Sequence, residues 1–366
     1  MKKFLKMLDM TMHIRSAYKS AFRLAIHDFV SIQTNINPSF LDLPSLYLPP
    51  STNSLCEADL ILEYVNNVQV EKNMNHFSGF FGKENSDFII KPCSPHFKLA
   101  GMGYALKDLD GKTFIRFTFP YLAKFRGEII DLCYSVLLLK LLCRNVTIIH
   151  SACISFDGEK ATLIVAGHDV GKTALVLSAI RDGFYVLSDD FTLLDSSANA
   201  YSYMKPITLT PYHLRAFKLK CTFKDLLIAH MKRHISGLPV IPPYLPTSPS
   251  IGLRKQITDL FDQVKIVRKA KLEQIVILQK SPEEAIEEIE HEQMSGKILA
   301  INRLSLSGFY NNPAIVAYTY FNPSIRTYVK NCYEREEMIV SKAVKNSRCF
   351  LIKGSNFYNL LKKLTW

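Results

Sequence analysis

Apolar positions in the middle of the chain fall into short β-branched runs separated by one segment with helical spacing. Runs of the first kind predict buried strands, and apolar residues three to four positions apart predict a helix. The predicted series is strand Val146–Phe156, strand Ala161–Ala166, loop Gly167–Lys172, helix Thr173–Arg181 and strand Phe184–Leu187. Strand, loop, helix and strand in this order are typical of an α/β fold.

The flanking segments have other patterns. Glu128–Cys143 predicts a buried helix, Pro282–Glu292 an acidic amphipathic helix, and Met1–Asp28 has helical periodicity. The last seventy residues are expected to mix helix and loop. Further strands are predicted over Leu60–Val70, Phe88–Pro92, Met102–Leu106, Thr113–Pro120 and Leu272–Leu278.

These patterns divide the chain into three regions. We expect a mixed, β-rich N-terminal domain over residues 1–125, an α/β domain over 126–295 and a basic region over 296–366. The net charge is +12, and the last region carries eleven Lys or Arg against three Glu. Such a surplus is either a solvated face or a surface for nucleic acid, an anionic membrane or an acidic protein.

Cysteine usage and hydropathy indicate the compartment. None of the eight Cys forms a Cys-x-x-Cys pair, which argues against a zinc ribbon or a thioredoxin-like site. Several Cys lie in apolar stretches, as expected of small buried side chains in a reducing environment. Because the sequence also has no signal peptide and no apolar run of membrane-spanning length, we predict a soluble cytoplasmic protein.

The segment from Ala166 to Thr173 follows the phosphate-binding loop pattern of Gly, four residues, and then Gly-Lys-Ser/Thr. In such a loop the backbone N–H groups and the following helix N-terminus surround phosphates, Lys172 neutralises their charge and the Thr173 hydroxyl reaches Mg²⁺. The predicted nucleotide-binding residues are Ala166, Gly167, His168, Asp169, Val170, Gly171, Lys172 and Thr173.

Two positions depart from the pattern. Ala166 stands where the first Gly is expected, so the entry turn of the loop can differ. Asp169 places an acid near the phosphates, and its charge repels a nucleotide unless the side chain points away or meets Mg²⁺. An ordinary strand-to-helix turn that contains Gly-Lys-Thr is the alternative interpretation.

Two acids and a histidine complete the candidate site. Asp189 and Asp190 follow the apolar run Phe184–Leu187, where a Mg²⁺ ligand or a base is needed beside a phosphate-binding loop. They are otherwise the solvent-facing end of a strand. His150 lies inside an apolar strand, and is either a hydrogen-bonded core residue or part of the site.

Taken together, these pieces resemble the HPr kinase/phosphorylase catalytic core, within the wider group of phosphoenolpyruvate-carboxykinase-like P-loop proteins. The resemblance covers roughly residues 131–195. In that family a His precedes the P-loop strand, and a Gly ends the helix before a paired-Asp motif, as His150, Gly183 and Asp189-Asp190 do here. The resemblance implies a fold with an α/β P-loop core of this type.

It also implies an activity, namely ATP- and Mg²⁺-dependent transfer of the γ-phosphate to a hydroxyl, as on Ser, of a protein, peptide or small molecule. Asp189 acts as general base in this reading, Asp190 holds metal or orients that base, and Thr173 binds Mg²⁺. His150 lies near the transferred phosphate, Lys172 stabilises its charge, and the protein is a homo-oligomer. The match does not extend to the N-terminal 125 residues or to the basic C-terminal region.

Two other functions remain open. A nucleotide-binding regulatory or assembly protein needs the loop but not both acids. A nucleic-acid-binding protein could use the C-terminal basic surplus, but the sequence has none of the helix-turn-helix, zinc-finger or aromatic RNA-binding signatures. We rank the kinase first, the regulator second and the nucleic-acid binder last.

Overall fold

A computed structural model describes residues 22–43, 58–66, 68, 75–78, 81–84, 88–92, 103–223, 225–229 and 253–365. These residues form a mixed α/β structure with two compact units. One unit is Met1–Lys140 with Asn311–Lys330, and the other is Leu141–Tyr310 with Asn331–Trp366. The chain after Gly296 therefore contributes to both units.

Strands dominate the described part of the first unit. They are β1 (Phe22–Ile26), β2 (Val30–Thr34), β3 (Leu60–Val65), β4 (Asn75–Ser78), β5 (Phe81–Glu84), β6 (Phe88–Pro92), β7 (Gly103–Lys107) and β8 (Thr113–Thr118). Within the described residues they form one sheet, in the order β1-β2-β3-β8-β7-β6-β5-β4. The pairs β2–β3 and β3–β8 are parallel and the other neighbours are antiparallel.

The strands predicted in this unit are present as β3, β6, β7 and β8, but β3 and β8 end before the predicted Val70 and Pro120. The helical periodicity over Met1–Asp28 is wrong where it can be compared. Residues 1–21 lie outside the described part. Phe22–Ile26 forms an antiparallel hairpin with Val30–Thr34, and alternate residues such as Val30 and Ile32 are buried. Pairing with a neighbouring strand and burial of one face outweigh a weak local helical pattern.

The described residues contain eight α-helices. They are α1 (Phe119–Leu142), α2 (Lys172–Arg181), α3 (Pro211–Ala216), α4 (His291–Ser305), α5 (Ser307–Tyr310), α6 (Pro313–Phe321), α7 (Pro323–Lys345) and α8 (Phe357–Thr365). The prediction of a buried helix over Glu128–Cys143 is confirmed by α1, which begins earlier. Residues 132–142 are buried on every face, as expected of a helix that is apolar all round.

The second unit has a central sheet. Its strands are β9 (Val146–Ser155), β10 (Lys160–Val165), β11 (Tyr185–Ser188), β12 (Phe191–Asp195), β13 (Asn199–Tyr201), β16 (Lys265–Ile266), β17 (Lys269–Lys280), β18 (Ala285–Glu288) and β19 (Arg348–Gly354), with β14 (Ile207–Leu209) and β15 (Leu253–Lys255) forming a separate pair. Strand β10 lies between β9 and β17, and β17 pairs with β19. Because β10, β17 and β19 are parallel, their carboxyl ends share one edge.

Alternate residues of β10 face two different hydrophobic cores. Ile164 packs in the core that contains α2 and α8, whereas Leu163 and Val165 pack in the core that contains α4 and the end of α7. The sheet of this unit is therefore covered by helices on both faces, which explains why β9 and nearly all of β10 are buried.

One predicted helix of the second unit is wrong, and the strand with which its residues pair was not predicted. Residues 285–288 of the predicted helix Pro282–Glu292 form β18, which pairs antiparallel with β19. Strand β19 lies in the final stretch that was expected to mix helix and loop. Its exposed edge accepts β18, and Lys353 forms an ion pair with Glu287 across the two strands. This tertiary pairing overrides the local helical spacing.

Candidate functional site

The loop between β10 and α2 is the centre of the candidate site. Residues 161–166 are buried, and the chain turns over 167–171 before α2 begins at Lys172. The predicted strand Ala161–Ala166 and helix Thr173–Arg181 are both present. Since the loop leaves the carboxyl end of a central parallel strand, it lies where ligands of α/β sheets commonly bind.

The loop backbone enters the left-handed region twice. Asp169 has φ 56° and Gly171 has φ 128°. The conformation at Gly171 is one that residues with a side chain rarely adopt. The Asp169 side chain is exposed, and its carbonyl accepts a hydrogen bond of 2.7 Å from Lys280 Nζ. An acid at position 169 is thus compatible with this loop, because its side chain lies in solvent.

Lys172 is buried and directed back into the loop. Its Nζ donates to the carbonyl oxygens of Ala166 at 2.7 Å and Gly167 at 3.0 Å, and lies 3.0 Å from His150 Nε2. An ammonium group has three protons, and each of them has an acceptor here. Burial lowers the pKa of Lys172, which the nearby carboxylates partly offset.

His150 in β9 provides the third acceptor. Burial, followed by the charge of Lys172, lowers the pKa of His150 to about 3, so the ring is neutral near pH 7. A charged lysine can only donate, so His150 Nε2 accepts and the ring proton sits on Nδ1. That Nδ1 lies 3.3 Å from Asp190 Oδ1, although the orientation does not make a hydrogen bond.

Asp189 lies against the start of α2. Its Oδ2 accepts a hydrogen bond of 3.0 Å from the Thr173 hydroxyl, and its Oδ1 is buried with no hydrogen-bond partner among the described residues. Burial, together with the negative charge of Asp190, raises the pKa of Asp189 to about 7. A carboxyl group with such a pKa can both accept and release a proton near neutral pH.

Asp190 differs from its neighbour. Its Oδ2 accepts from Lys205 Nζ at 3.0 Å, and its side chain is 41% exposed. Partial burial raises the pKa of Asp190, but the positive charges of Lys205 and Lys172 outweigh this effect and lower the pKa to about 2. The consecutive acids therefore have opposite titration behaviour, one held charged and the other titrating near pH 7.

Lys205 is a site residue that the sequence did not reveal. Its Nζ also lies 3.7 Å from the centre of the Phe191 ring, a cation–π contact, and its side chain is 12% exposed. The residue stands between irregular segments before β14, with no motif around it. The tertiary structure alone brings the Lys205 ammonium next to the Asp190 carboxylate.

A buried network of hydrogen bonds joins β9 to α4 and α7. Asn302 in α4 accepts from the backbone N–H of His150 at 2.8 Å and donates to the Ile148 carbonyl at 2.9 Å. Glu336 in α7 is fully buried, and its Oε1 accepts from Thr147 Oγ1 and Tyr310 OH. Burial raises the pKa of Glu336. Because the network spans three distant segments, no local pattern could have predicted it.

The remaining predicted residues lie at the mouth of the loop. His168 is exposed, its ring centre lies 4.7 Å from that of His150, and its Nε2 is 3.4 Å from the Ser305 carbonyl. Val170 is half-buried against the core beneath α2. Every predicted residue from Ala166 to Thr173 therefore belongs to one continuous loop and helix start, with His150, Asp189 and Asp190 beside it.

The oxygen atoms of this site suit a hard cation that keeps most of its ligands from phosphate and water. Thr173 Oγ1, beside the Asp189 carboxyl group, is an oxygen ligand of the kind Mg²⁺ prefers. In the part of the chain that the structure describes, no cluster of three or more His, Cys, Asp or Glu could hold a metal alone. The residues present therefore fit Mg²⁺ bound together with a phosphate ligand.

Comparison with known proteins adds no family to this geometry. The sequence matches no protein-family model, and no curated protein matches it either. Within the described ranges, none of the helices has both the length and the apolar character needed to cross a membrane. The site must therefore be interpreted from its own residues.

Proposed function

We propose that this chain is an ATP-dependent phosphotransferase that binds Mg²⁺ and a nucleoside triphosphate at Ala166–Thr173 and transfers the γ-phosphate to a hydroxyl group. One observation carries the proposal, namely that a loop-held ammonium at Lys172 lies beside a hydroxyl–carboxylate pair, Thr173 and Asp189. Phosphoryl transfer depends on positioning and charge stabilisation by such groups. The resemblance to the HPr kinase/phosphorylase core supports the same reaction, with Ser as the acceptor.

In this proposal Lys172 exchanges its protein acceptors for phosphate oxygens. The two loop carbonyls and His150 hold the ammonium at the centre of the loop. A bound phosphate replaces at least one of them, and the charge-assisted hydrogen bonds that form are stronger than those to neutral carbonyls. The backbone N–H groups at the start of α2 add positive potential to the same place.

Thr173 and the acid pair take the remaining roles. Bound Mg²⁺ would neutralise charge on the phosphates, and Thr173 would hold it through Oγ1, oriented by the hydrogen bond to Asp189. Asp189 is the general base, since its Oδ1 has no partner and its pKa is about 7. Asp190 was expected to bind metal or orient the base. Because it is paired with Lys205, we give it the orienting role.

The cysteines support a reducing compartment. Burial raises the pKa of Cys133, Cys153 and Cys349, so these thiols are inert side chains of the core. Cys143 Sγ and Cys332 Sγ lie 3.6 Å apart without a disulfide. We therefore propose that the protein acts in the reducing cytoplasm. The resemblance to the HPr kinase/phosphorylase core further implies a hydroxyl acceptor on a protein, peptide or small molecule and a homo-oligomer.

Calorimetric titration with ATP, with and without Mg²⁺, tests the proposal. We expect Mg²⁺-dependent binding that weakens at least about tenfold in Lys172→Ala, because the central cation is lost. Lys160→Ala is the matched control, since Lys160 lies exposed at the start of β10, the strand that leads into the loop, and pairs with Glu273. Circular dichroism of both variants establishes that they are folded.

Three outcomes separate the candidate functions. Binding accompanied by release of ADP with a hydroxyl acceptor supports the phosphotransferase. Binding without turnover favours the alternative, a nucleotide-binding regulatory or assembly protein, in which the exposed Asp169 in the loop is tolerated because no transfer occurs. Absence of binding at millimolar ATP contradicts both functions.

A further inference from the structure

A surface cavity of about 340 Å³ lies beside the phosphate-binding loop. Its walls include Val170, Lys280, Ser281, Pro282, Ser355 and Phe357. These residues come from the loop after β10, from the end of β17 with the turn after it, and from the turn after β19 with the start of α8. The cavity is therefore built by the carboxyl edge of the sheet, the edge where α/β proteins bind ligands.

The order of the strands gives a bound triphosphate a direction. Strand β11, which leads into Asp189, lies on the β9 side of β10, whereas β17 and β19 lie on the other side. The proposed function places the terminal phosphates at Lys172 and Thr173, and Thr173 is hydrogen-bonded to Asp189 at 3.0 Å on the β11 side of the loop. The opposite end of the ligand then extends across the loop toward β17 and β19, where the cavity lies.

We propose that this cavity binds the nucleoside end, base and ribose, of the nucleoside triphosphate. The inference rests on the proposed function, because the direction of the ligand comes from the phosphate site at Lys172 and Thr173. Small-molecule sites usually span about 300–1,000 Å³, so this cavity lies at the small end of that range, which suits a nucleoside. The triphosphate is left to the loop.

The lining has the chemistry that a nucleoside needs. Val170, Pro282 and Phe357 offer apolar surface to the face of a base. Ser281 and Ser355 place hydroxyl groups beside it for the ribose or the base edge. Ser281 Oγ accepts from the Glu283 backbone N–H at 3.1 Å, so its own proton remains available to a ligand.

Lys280 connects the cavity to the loop. Its Nζ donates to the Asp169 carbonyl at 2.7 Å, so the cation stands at the border between the two. At that border a nucleotide carries its α-phosphate, which joins the ribose to the rest of the triphosphate. Lys280 is thus placed to meet an anionic group just as the ligand passes from loop to cavity.

The experiment compares ATP with inorganic tripolyphosphate, which lacks the nucleoside, by calorimetric titration with Mg²⁺. Ser355→Trp fills the cavity from an exposed position, and Ser197→Trp places the same side chain in an exposed turn outside it. We expect Ser355→Trp to weaken ATP binding about tenfold or more and to leave tripolyphosphate binding unchanged. Ser197→Trp leaves both unchanged. Pro282→Trp, from another wall, repeats the test if Ser355→Trp does not fold.

The outcomes distinguish this inference from the function on which it rests. If the wild-type protein binds both ligands and the cavity variants bind ATP as tightly as it does, the nucleoside site is wrong while the phosphate site stands. Equal weakening of both ligands also overturns the nucleoside site, because the effect then acts through the loop. If the wild-type protein binds neither ligand, the proposed function fails and this inference fails with it.

Discussion

Lys172 Nζ and His150 Nε2 are 3.0 Å apart, and both side chains are more than nine-tenths buried. A charged lysine donates and a neutral imidazole accepts, so His150 in β9 fixes the position of the Lys172 ammonium in the loop. Buried charges are tolerated in proteins when they are hydrogen-bonded. The pair therefore fixes the position of the Lys172 ammonium, to which the proposed function assigns phosphate binding.

Removing the imidazole acceptor is expected to destabilise the protein. His150→Leu leaves one proton of buried Lys172 without an acceptor, which costs about 1–3 kcal/mol in the free energy of unfolding. His150→Gln costs less, because its amide oxygen can accept from Lys172. Urea denaturation measures both, and the double variant with Lys172→Met should lose less than the sum of the two single losses. Strict additivity would show that the pair does not interact.

The titration of Asp189 predicts the pH dependence of transfer. A base accepts a proton only when ionised, so a pKa of about 7 makes the transfer rate rise with pH below about 7 and level off above it. Initial rates between pH 5 and 9 at saturating ATP measure this limb. Asp189→Asn should keep ATP binding and lower transfer by about 10²–10⁴-fold.

Asp262→Asn is the control for this substitution, since Asp262 is exposed and pairs with Lys220 at the surface. It should leave both the rate and its pH profile unchanged. Transfer that survives in Asp189→Asn with the same pH profile would assign the base to another residue.

The same shift in pKa predicts a trend in stability. The folded pKa of Asp189 lies above its ordinary value of 3.8, so between pH 3.8 and 7 the folded protein holds a proton that the unfolded chain releases. The contribution is complete below pH 3.8 and is lost as the pH rises through 7. Asp189→Asn should therefore raise the free energy of unfolding relative to wild type more at pH 8 than at pH 5. Thermal denaturation at the two pH values measures the difference.

The backbone at Gly171 predicts a contrast between two glycines. Gly171 has φ 128°, so Gly171→Ala is strained and should lower the free energy of unfolding by about 1–3 kcal/mol. Gly296 lies within α4 with open space around it, and Gly296→Ala should raise stability by about 0.5–1 kcal/mol through helix propensity. Chemical denaturation compares the two, and Gly171→Ala should also weaken ATP binding. Equal effects at both positions would contradict the strained loop.

The network behind β9 predicts a contrast on one helix. Glu336→Leu removes the acceptor of Thr147 and Tyr310, and each orphaned buried donor costs about 1–3 kcal/mol in the free energy of unfolding. Glu336→Gln keeps one amide oxygen as acceptor and should cost less. The neighbouring Glu337 is exposed and pairs with Arg303, so Glu337→Leu should change stability by less than about 1 kcal/mol. Urea denaturation of the three variants decides between a supporting network and an incidental one.

The sequence by itself determined the local elements around the loop. A β-branched strand, a polar turn with Gly171 and a helix after it follow from side-chain shape and periodicity over a few residues. The sequence also predicted the order of His150, the loop and the acid pair, because these residues lie in or between consecutive elements. The physical reason is that each of these features depends on neighbours close in the chain.

The tertiary structure alone decided which charges meet. Lys205 forms an ion pair with Asp190, and Asn302 accepts a hydrogen bond from the backbone N–H of His150. Residues 285–288 form a strand because they pair with the edge of β19. These contacts join segments far apart in the chain, so no local pattern encodes them. The different pKa values of Asp189 and Asp190 have the same origin: two identical side chains, adjacent in sequence, acquire different protonation because burial and the partner cation differ between them.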